Sequence, residues 1–366
     1  LEAYYHSDFL KEIQKNSNGQ IASITIPITK NTTKVDIEKR KILTKLTTEE
    51  VERGSFEHFF WETLFYSLPK AILENFIQTY SVFLKDIQSK SFTHIVSEGW
   101  LGKIKLAIYV ATAKQQGRKF IVPEHGAFHV LFQGNFNWFY QMTADTFLTT
   151  GWMPNENSDT SKFKAGGFAS RKINVYKYNH QKNILYVTSS NPPYQGVYGR
   201  EALFNTFGVR SLKTTLEFMD GLPKHLKDNF VIRLRRYPSA WDTANAWQVE
   251  QKGIKVDSLD QSLQHSICNS KIVVIDHLST SLAEILAMNA PFILIHDDSI
   301  KCIREEYIGL LDSLKEVGIV HSSGQSAALY LSQIYDRVET WWFNQTLQTT
   351  LNNFKYTLIQ DESKVA

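Results

Sequence analysis

Residues 271–296 constrain the fold more than any other stretch of this chain. A β-branched run, 271–275, ends at Asp276, apolar residues at helical spacing begin at Leu282, and a second apolar run spans 292–295. This periodicity predicts a strand, a turn, a helix and a second strand. Because continuous apolar strands of this kind are buried on both faces, the unit indicates a parallel sheet and an α/β fold.

Three hydroxyl residues, Ser279, Thr280 and Ser281, lie where this helix is predicted to begin. Unpaired N–H groups and the positive end of the helix dipole attract anions at such a position. Ligands of open α/β sheets bind beyond the carboxyl ends of the strands, where Asp276 also lies. We therefore predict a phosphate site here. A capping box formed by Ser281 and Glu284 is the alternative explanation of those two residues, and it is compatible with the same design.

The rest of the chain repeats the alternation of strand and helix. Further strands are predicted at 21–26, 93–96, 119–122, 146–150, 183–188, 230–234 and 318–321. Helices are predicted at 56–84 with a break at Pro69, and at 101–116, 200–219, 259–268, 326–342 and 344–358. We expect two Rossmann-like parallel-sheet domains, 1–175 and 176–340, facing a cleft, and a C-terminal helix, 341–366, that packs back on the first domain. This arrangement is typical of cleft-forming enzymes such as GT-B glycosyltransferases.

Composition excludes several classes of protein. A length of 366 residues suits two domains, and a net charge of +3 with 21% charged residues lacks the basic excess of a nucleic-acid-binding protein. The two cysteines have no metal-ligand spacing and suit a reducing compartment. No run of 18 apolar residues and no signal-peptide pattern occurs. We expect a cytoplasmic protein, with the inner face of the membrane as the alternative location.

Two further loops of the second predicted domain follow strands and converge with the first loop at one edge of the sheet. Arginine binds phosphate through two hydrogen bonds, so an arginine-rich loop is a candidate site, with surface ion pairs as the alternative role. Strand alternation places Arg233 and Arg235 on one face and Arg236 on the other. The candidate phosphate- and nucleotide-binding residues of these loops are Ser190, Asn191, Arg233, Arg235, Arg236, Tyr237 and Pro238. There is no P-loop and no GxGxxG motif, which disfavours P-loop NTPases and dinucleotide dehydrogenases.

Glu124 and His125 are the candidate catalytic residues of the first predicted domain. They follow an apolar strand that ends at Val122, and Gly126 allows a sharp turn after them. A carboxylate beside an acceptor hydroxyl can act as a general base, or as a nucleophile in a retaining mechanism. A capping or ion-pairing role is the structural alternative for Glu124. No HxH, HExxH or DxD cluster occurs, so we expect neither a metal nor another cofactor.

An aromatic stretch, 128–140, follows this loop and contains Phe128, Phe132, Phe136, Trp138, Phe139 and Tyr140. Packing in a core or domain interface is one interpretation. An apolar surface that binds an acceptor or faces a membrane is the other.

Several of these motifs occur in an order that resembles a known family. They are residues 66–76, Glu124-His125-Gly126, 149–152, 233–238 with Trp241, 276–289 and Trp341-Trp342. Together they resemble a family of transferases encoded in bacterial O-antigen and surface-carbohydrate gene clusters, over roughly residues 60–356. The layout is also similar to that of bacterial sialyltransferases and Kdo transferases, which use CMP-activated sugars.

Those transferases carry an acidic-acidic-Gly motif, then His-Pro, then Ser-Ser/Thr. The corresponding residues are Glu124-His125-Gly126, Tyr237-Pro238 and Ser279-Thr280. The chain departs from the motifs at His125 and at Tyr237. The resemblance implies that Glu124 is catalytic, that Tyr237-Pro238 lies near the nucleotide, and that Ser279-Thr280 holds the phosphate.

We therefore expect a metal-independent GT-B glycosyltransferase of bacterial surface polysaccharide or lipopolysaccharide synthesis. Its partners would be a nucleotide-sugar co-substrate, with a CMP-linked ulosonic acid such as Kdo as the leading donor, and a glycan or lipid-linked glycan acceptor. We expect no nucleic-acid partner. Peripheral association with the membrane is compatible with this function. A sugar-nucleotide 2-epimerase of the same fold and a non-catalytic nucleotide-sugar-binding subunit are the alternatives.

Overall fold

A computed structural model describes twelve parts of the chain: 11, 14–29, 33–97, 103–133, 137–154, 160–166, 173–178, 183–188, 206–234, 254–257, 260–297 and 303–359. The chain divides into two compact units. One consists mainly of Lys11–Val122, and the other mainly of Pro123–Thr143 and Phe147–Ala366. The domain boundaries proposed near residues 175 and 340 stay predictions.

The first unit is mostly helical. Its described helices after residue 33 are α1 (Ile37–Thr48), α2 (Phe56–Ser67), α3 (Phe76–Gln88) and α4 (Ile104–Gln115). Helix α2 ends at Ser67, and Leu68, the residue before Pro69, has an extended backbone (ψ 131°) because the following proline disfavours the helical conformation. Phe83 and Tyr109 pack edge to face and are almost fully buried between α3 and α4. The break predicted at Pro69 is thus confirmed.

The strand predicted at residues 21–26 is wrong. These residues have no regular secondary structure, and most of their side chains are exposed. Apolar alternation favours a strand only where a neighbouring strand supplies hydrogen bonds and a buried face. This segment has neither among the described residues.

Four strands form the first sheet, in the order β1, β2, β3 and β4. They are β1 (His94–Val96), β2 (Lys119–Pro123), β3 (Thr146–Thr149) and β4 (Phe163–Ala165). The pairs β1–β2 and β3–β4 are parallel. Strand β4 was not predicted, because a three-residue strand is too short to show a periodicity.

Six strands form the second sheet: β5 (Ile184–Val187), β6 (Phe230–Arg233), β7 (Lys255–Val256), β8 (Ile272–Ile275), β9 (Phe292–Ile295) and β10 (Val320–His321). All neighbouring pairs are parallel, in the order β10-β9-β8-β5-β6-β7. Every residue of β5, β8 and β9 is buried, which explains their uninterrupted apolar sequences. The chain leaves β5 in one direction and returns at β8 on its other side, so the topological switch point lies between these two strands.

The described helices of the second unit are α5 (Asn137–Thr143), α6 (Thr206–Gly221), α7 (Lys224–Lys227), α8 (Leu263–Cys268), α9 (Thr280–Met288), α10 (Glu305–Glu316), α11 (Gly324–Ile334), α12 (Val338–Trp342) and α13 (Gln345–Leu358). Helix α10 was not predicted, because it buries only Leu311 and Leu314 and its apolar pattern is weak. None of the helices that the structure describes is long and apolar enough to cross a membrane.

Helix α13 packs its apolar stripe into the second unit. Leu347, Leu351 and Phe354 are buried, and the Phe354 ring stacks on Phe128 at a centroid distance of 5.9 Å. The carbonyl of Leu358 accepts a hydrogen bond of 3.1 Å from the hydroxyl of Thr150. Two parallel sheets and a terminal helix are the α/β architecture that the sequence predicted, and this fold class is confirmed.

Candidate functional site

The carboxyl ends of β5 and β8 lie side by side at the switch point, because Val187 pairs with Ile275. Thr188 and Asp276 are the next residues along these strands. The Asp276 carboxylate accepts hydrogen bonds from the hydroxyl of Thr188 (2.7 Å) and from that of Ser211 in α6 (2.6 Å). Asp276 therefore ties both strand ends to α6, at the edge where α/β sheets bind their ligands.

The start of α9 follows this edge directly. Ser279 is the N-cap, and its hydroxyl oxygen accepts a hydrogen bond of 3.2 Å from the N–H of Ser281. The capping box predicted at Ser281 and Glu284 is therefore corrected, because Ser281 already lies inside the helix. Glu284 is partly buried one turn further along. Ser279 and Thr280 thus lie at a capped helix N-terminus, where the helix dipole favours an anion.

Gly126 brings the loop after β2 against this helix start. A Cβ atom at Gly126 would lie 3.1 Å from His129 Nε2 and 3.3 Å from Thr280 Oγ1, and the Gly126 φ of +77° disfavours other residues. The His125 and His129 rings are 6.4 Å apart. Within the second unit, the structure therefore brings together two predicted groups, Glu124 to Gly126 and Ser279-Thr280.

The same loop contains a second residue in the left-handed region. Phe128 has a φ of +67°, a conformation that costs a bulky residue about 1–2 kcal/mol. Its fully buried ring, stacked on Phe354 of α13, holds this conformation in place. Backbone strain that surrounding packing maintains is common in loops that carry function.

Glu124 is buried in a cage of hydrogen-bond donors. Its Oε2 accepts from the N–H of Thr150 (3.0 Å), the hydroxyl of Thr150 (3.2 Å) and Trp152 Nε1 (2.6 Å), and its Oε1 accepts from Asn137 Nδ2 (3.2 Å). Burial raises the pKa of Glu124 to about 7, although these four hydrogen bonds lower it. A carboxyl group with a pKa near neutrality can take up and release a proton under working conditions.

The three cage residues, Asn137, Thr150 and Trp152, were not among the predicted site residues, although residues 149–152 belong to the motifs of the resemblance. The N–H of Glu124 donates to the carbonyl of Leu148, so the segment after β2 runs beside the end of β3. Thr150 and Trp152 follow β3 as Glu124 follows β2. The carboxyl ends of neighbouring parallel strands meet at one edge, and this rule is the signal that could have found Thr150 and Trp152.

Arg233, a predicted phosphate ligand, is held by contacts within the protein. Its guanidinium group forms an ion pair with Asp257 (2.6 Å) and donates to the hydroxyl of Ser266 (3.0 Å) and the carbonyl of Gln261 (2.9 Å). Only 10% of its side chain is exposed. The structure thus places Arg233 in an internal ion pair that joins β6 to the start of α8, and not with the residues at the switch point.

Six other candidates lie outside the described residues: Ser190, Asn191, Arg235, Arg236, Tyr237 and Pro238. Among the residues that are described, no group of three or more histidine, cysteine, aspartate or glutamate side chains is placed to hold a metal ion.

The aromatic stretch after the loop that contains Glu124 is divided between core and surface. Phe128 and Tyr140 are buried, whereas Trp138 on α5 is 55% exposed. Phe136 lies outside the described residues. The packing interpretation therefore applies to Phe128 and Tyr140. Trp138 is the exposed aromatic side chain that an acceptor could contact.

Similar solved structures include transferases and an epimerase. The pneumococcal O-GlcNAc transferase GtfA in complex with UDP and GlcNAc has a TM-score of 0.44 and 12% identity, and the match covers 75% of this chain and 57% of that chain. MurG from Acinetobacter baumannii has a TM-score of 0.40 and 12% identity, over 94% of this chain and 83% of that chain. A UDP-N-acetylglucosamine 2-epimerase has a TM-score of 0.42 and 10% identity, over 87% of this chain and 91% of that chain. Likeness at this level does not distinguish group transfer from epimerisation. No curated protein sequence matches the chain significantly.

The family comparison is more specific, because it rests on sequence along nearly the whole chain. The model of one transferase family matches residues 6–363, which include the loop after β2, the start of α9 and α13. The chain therefore belongs to the LIC12162 family of transferases.

Proposed function

We propose that this transferase is a glycosyltransferase that moves a sugar from a nucleotide-sugar donor to a glycan acceptor. The observation that carries the proposal is the proximity of Gly126 to Thr280, because it brings the loop that contains Glu124 and the start of α9 together in one compact unit. Sugar transfer from a nucleotide needs these two elements: a group that accepts a proton and a group that stabilises a phosphate.

The start of α9 would hold the donor phosphate. Ser279 and Thr280 supply hydroxyl groups beside the N–H groups of the first helical turn. The position at the topological switch point supports this role, since nucleotides bind there in doubly wound sheets. Arg233 is left out of the proposed site because its charge is paired with Asp257.

Glu124 would act as the general base. It takes the proton of the acceptor hydroxyl while the acceptor oxygen bonds to the anomeric carbon and the bond from that carbon to the phosphate oxygen breaks. Protonation makes the Glu124 carboxyl group neutral, and the broken bond leaves a negative charge on the nucleotide phosphate. The dipole of α9 stabilises that charge. A pKa of about 7 for Glu124 suits this exchange. His125, the neighbouring candidate, would take over the role if Glu124 proved dispensable.

The finer assignment rests on the resemblance described above. The order of Glu124-His125-Gly126, Tyr237-Pro238 and Ser279-Thr280 supports a CMP-linked ulosonic acid such as Kdo as donor. The proposed pathway is bacterial surface polysaccharide or lipopolysaccharide synthesis, and the proposed acceptor is a glycan or a lipid-linked glycan at the inner membrane face. Membership in a transferase family confirms the predicted reaction class and favours transfer over the epimerase and the non-catalytic alternatives.

A thermal-shift screen with CMP, CDP, UDP and GDP tests the donor class. A ligand that binds only the folded state raises the melting temperature, and a concentration of 100 times Kd adds about 2.7 kcal/mol of stability. We expect CMP to give the largest shift, followed by sugar transfer from CMP-Kdo in a product assay. A shift with UDP or GDP alone would replace the proposed donor. The absence of any shift would contradict a nucleotide-dependent glycosyltransferase.

A further inference from the structure

Thr150 is the residue of the Glu124 cage that also contacts the C-terminal helix. Its hydroxyl oxygen lies 3.2 Å from Glu124 Oε2 and 3.1 Å from the carbonyl oxygen of Leu358, the last residue of α13. All three residues are buried and belong to the same compact unit. One hydroxyl group therefore joins the proposed general base to the end of α13, a contact that the mechanism above does not use.

This hydroxyl has one proton and two acceptors. The carbonyl of Leu358 lies at the end of α13, and the last carbonyls of a helix have no partner within it, so it takes a donor from elsewhere. Hydrogen bonds to an ionised group are roughly twice as strong as those between neutral groups. The proton therefore points to Glu124 while that group is ionised, and the Leu358 carbonyl competes for it once Glu124 has taken up a proton.

A second set of contacts ties the same helix to the loop that carries Glu124. The Phe354 ring of α13 stacks on Phe128 at a centroid distance of 5.9 Å, and the left-handed backbone of Phe128 lies in that loop. In the segment after β3, Gly151 forms an antiparallel bridge with Ile359. The end of α13 thus contacts both the loop after β2 and the segment after β3, which supply the carboxylate and its donors.

We propose that the end of α13 positions the Glu124 carboxyl group for sugar transfer, with the Thr150 hydroxyl as the link between them. Thr150 and Phe354 are then positioning residues, because they act through Glu124 and its loop and not on the substrates. The inference rests on the proposed function for the reaction that Glu124 serves. The hydrogen bonds and the ring stack themselves do not depend on it.

Titratable side chains on the elements around Glu124 include His125 and His129 of its own loop, Tyr307 of α10 and Lys355 of α13. Burial raises the pKa of Tyr307, and the charge of Glu124 adds to this effect. The substitutions described below leave all four groups in place. A difference between a variant and the wild type in its pH dependence therefore reports on Glu124.

Two substitutions at Thr150 separate its hydroxyl from its methyl group. Thr150→Val keeps the size of the side chain and removes the hydroxyl, whereas Thr150→Ser keeps the hydroxyl and removes the methyl. The pH profile of kcat/KM is measured for sugar transfer, and urea unfolding is followed over the same pH range.

We expect Thr150→Val to move the acidic limb of the kcat/KM profile upward by about one unit, because ionised Glu124 loses one donor. The loss of stability with rising pH should also extend about one unit higher, since a higher pKa of Glu124 keeps the proton on the folded state longer. Thr150→Ser should follow the wild type in both measurements. A packing role alone predicts the opposite order, with wild-type pH dependence in Thr150→Val and the larger loss of stability in Thr150→Ser, which leaves a cavity. That order would overturn Thr150 as a positioning residue.

Phe354→Leu tests the helix itself, and Leu347→Ala is its matched control. Both side chains are buried on α13, but Leu347 lies about 10 Å from Phe354 along the helix axis. With both variants assayed below their melting temperatures, kcat should fall about tenfold or more in Phe354→Leu and stay near wild type in Leu347→Ala. Equal kcat in the two variants would show that α13 supplies stability only and would overturn its positioning role.

Urea unfolding distinguishes a failure of this inference from a failure of the proposed function. Wild-type protein that transfers no sugar from any nucleotide-sugar donor would contradict the glycosyltransferase proposal, while a shifted pH dependence of unfolding in Thr150→Val, and not in Thr150→Ser, would still support the link to Glu124. Wild-type protein that transfers sugar, with unchanged acidic limbs in both Thr150 variants and equal kcat in the two α13 variants, would overturn the inference alone.

Discussion

Trp152 Nε1 donates a hydrogen bond of 2.6 Å to Glu124 Oε2, and both side chains are buried. The indole comes from the segment after β3 and the carboxylate from the segment after β2, so the bond joins two neighbouring strand ends. Trp152 itself packs against Phe147 and Phe163. Aromatic packing therefore holds one of the donors that orient Glu124, and this gives rigid support to the carboxylate that we propose as general base.

Glu124→Gln should lower the rate of sugar transfer strongly and leave nucleotide binding nearly unchanged, and at about pH 5, where Glu124 of the folded protein is protonated, it should also leave the melting temperature nearly unchanged. The amide is the same size, its oxygen can take the place of Oε2, and Asn137 can turn its own amide to accept from the new NH₂ group. A general base contributes roughly 10²–10⁴-fold, so the loss should lie in that range when initial rates are measured. Activity within about tenfold of wild type would remove Glu124 from catalysis, and inactivity of His125→Ala would then move the role to His125.

The stability of the protein should fall between pH 5 and pH 8 because of Glu124. Burial raises the pKa of Glu124 in the folded state from 4.5 to about 7, so the folded state holds a proton that the unfolded state has already released. The associated stability is complete below about pH 4.5 and is lost as the pH rises to about 7, a total of about 3 kcal/mol.

Urea unfolding at several pH values of wild type and Glu124→Gln checks this linkage. The variant carries no titrating group at this position, so its free energy of unfolding should gain about 2–3 kcal/mol relative to wild type between pH 5 and pH 8. Parallel pH profiles of the two proteins would show that the pKa of Glu124 is not raised.

Gly126→Ala should lower both stability and activity, for two separate reasons. Alanine at a φ of +77° costs about 1–2 kcal/mol, and its Cβ would press on His129 Nε2 and Thr280 Oγ1. Gly117→Ala is the matched control, since Gly117 has a φ of +75° and nothing within 4 Å of its Cβ position. Both variants should lose similar stability in urea unfolding, but only Gly126→Ala should bind nucleotide more weakly. Equal nucleotide affinity in the two variants would argue against a site between the loop and α9.

Arg233→Ala should destabilise the protein by about 3–5 kcal/mol, because it leaves the carboxylate of Asp257 buried without its cation. Nucleotide affinity of the remaining folded protein should be unchanged. The double variant Arg233→Met, Asp257→Leu should recover most of the stability, since it removes both charges together. A large loss of nucleotide affinity in the stable double variant would return Arg233 to the phosphate site. Arg235, outside the described residues, stays a predicted phosphate ligand.

Local sequence patterns predicted a strand or a helix correctly wherever the apolar residues of that element show a clear pattern by themselves. The strands β5, β8 and β9 were predicted from their apolar runs, because a strand buried on both faces has no polar positions. The stripe of Leu347, Leu351 and Phe354 predicted a packed helix from its spacing alone. Strand β7 was missed and α10 was not predicted, because two residues or two buried leucines are too few to establish a period.

The sequence by itself thus determined the α/β class and the placement of Asp276, Ser279 and Thr280 at a strand end, since both follow from the order of apolar and polar residues along the chain. Only the tertiary structure decided what the charged side chains do. Arg233 pairs with Asp257, and Glu124 is held by Thr150 and Trp152, because a buried charge takes whichever partner the fold brings within about 3 Å. Those partners lie 24 to 28 residues away, a separation that no local spacing rule records.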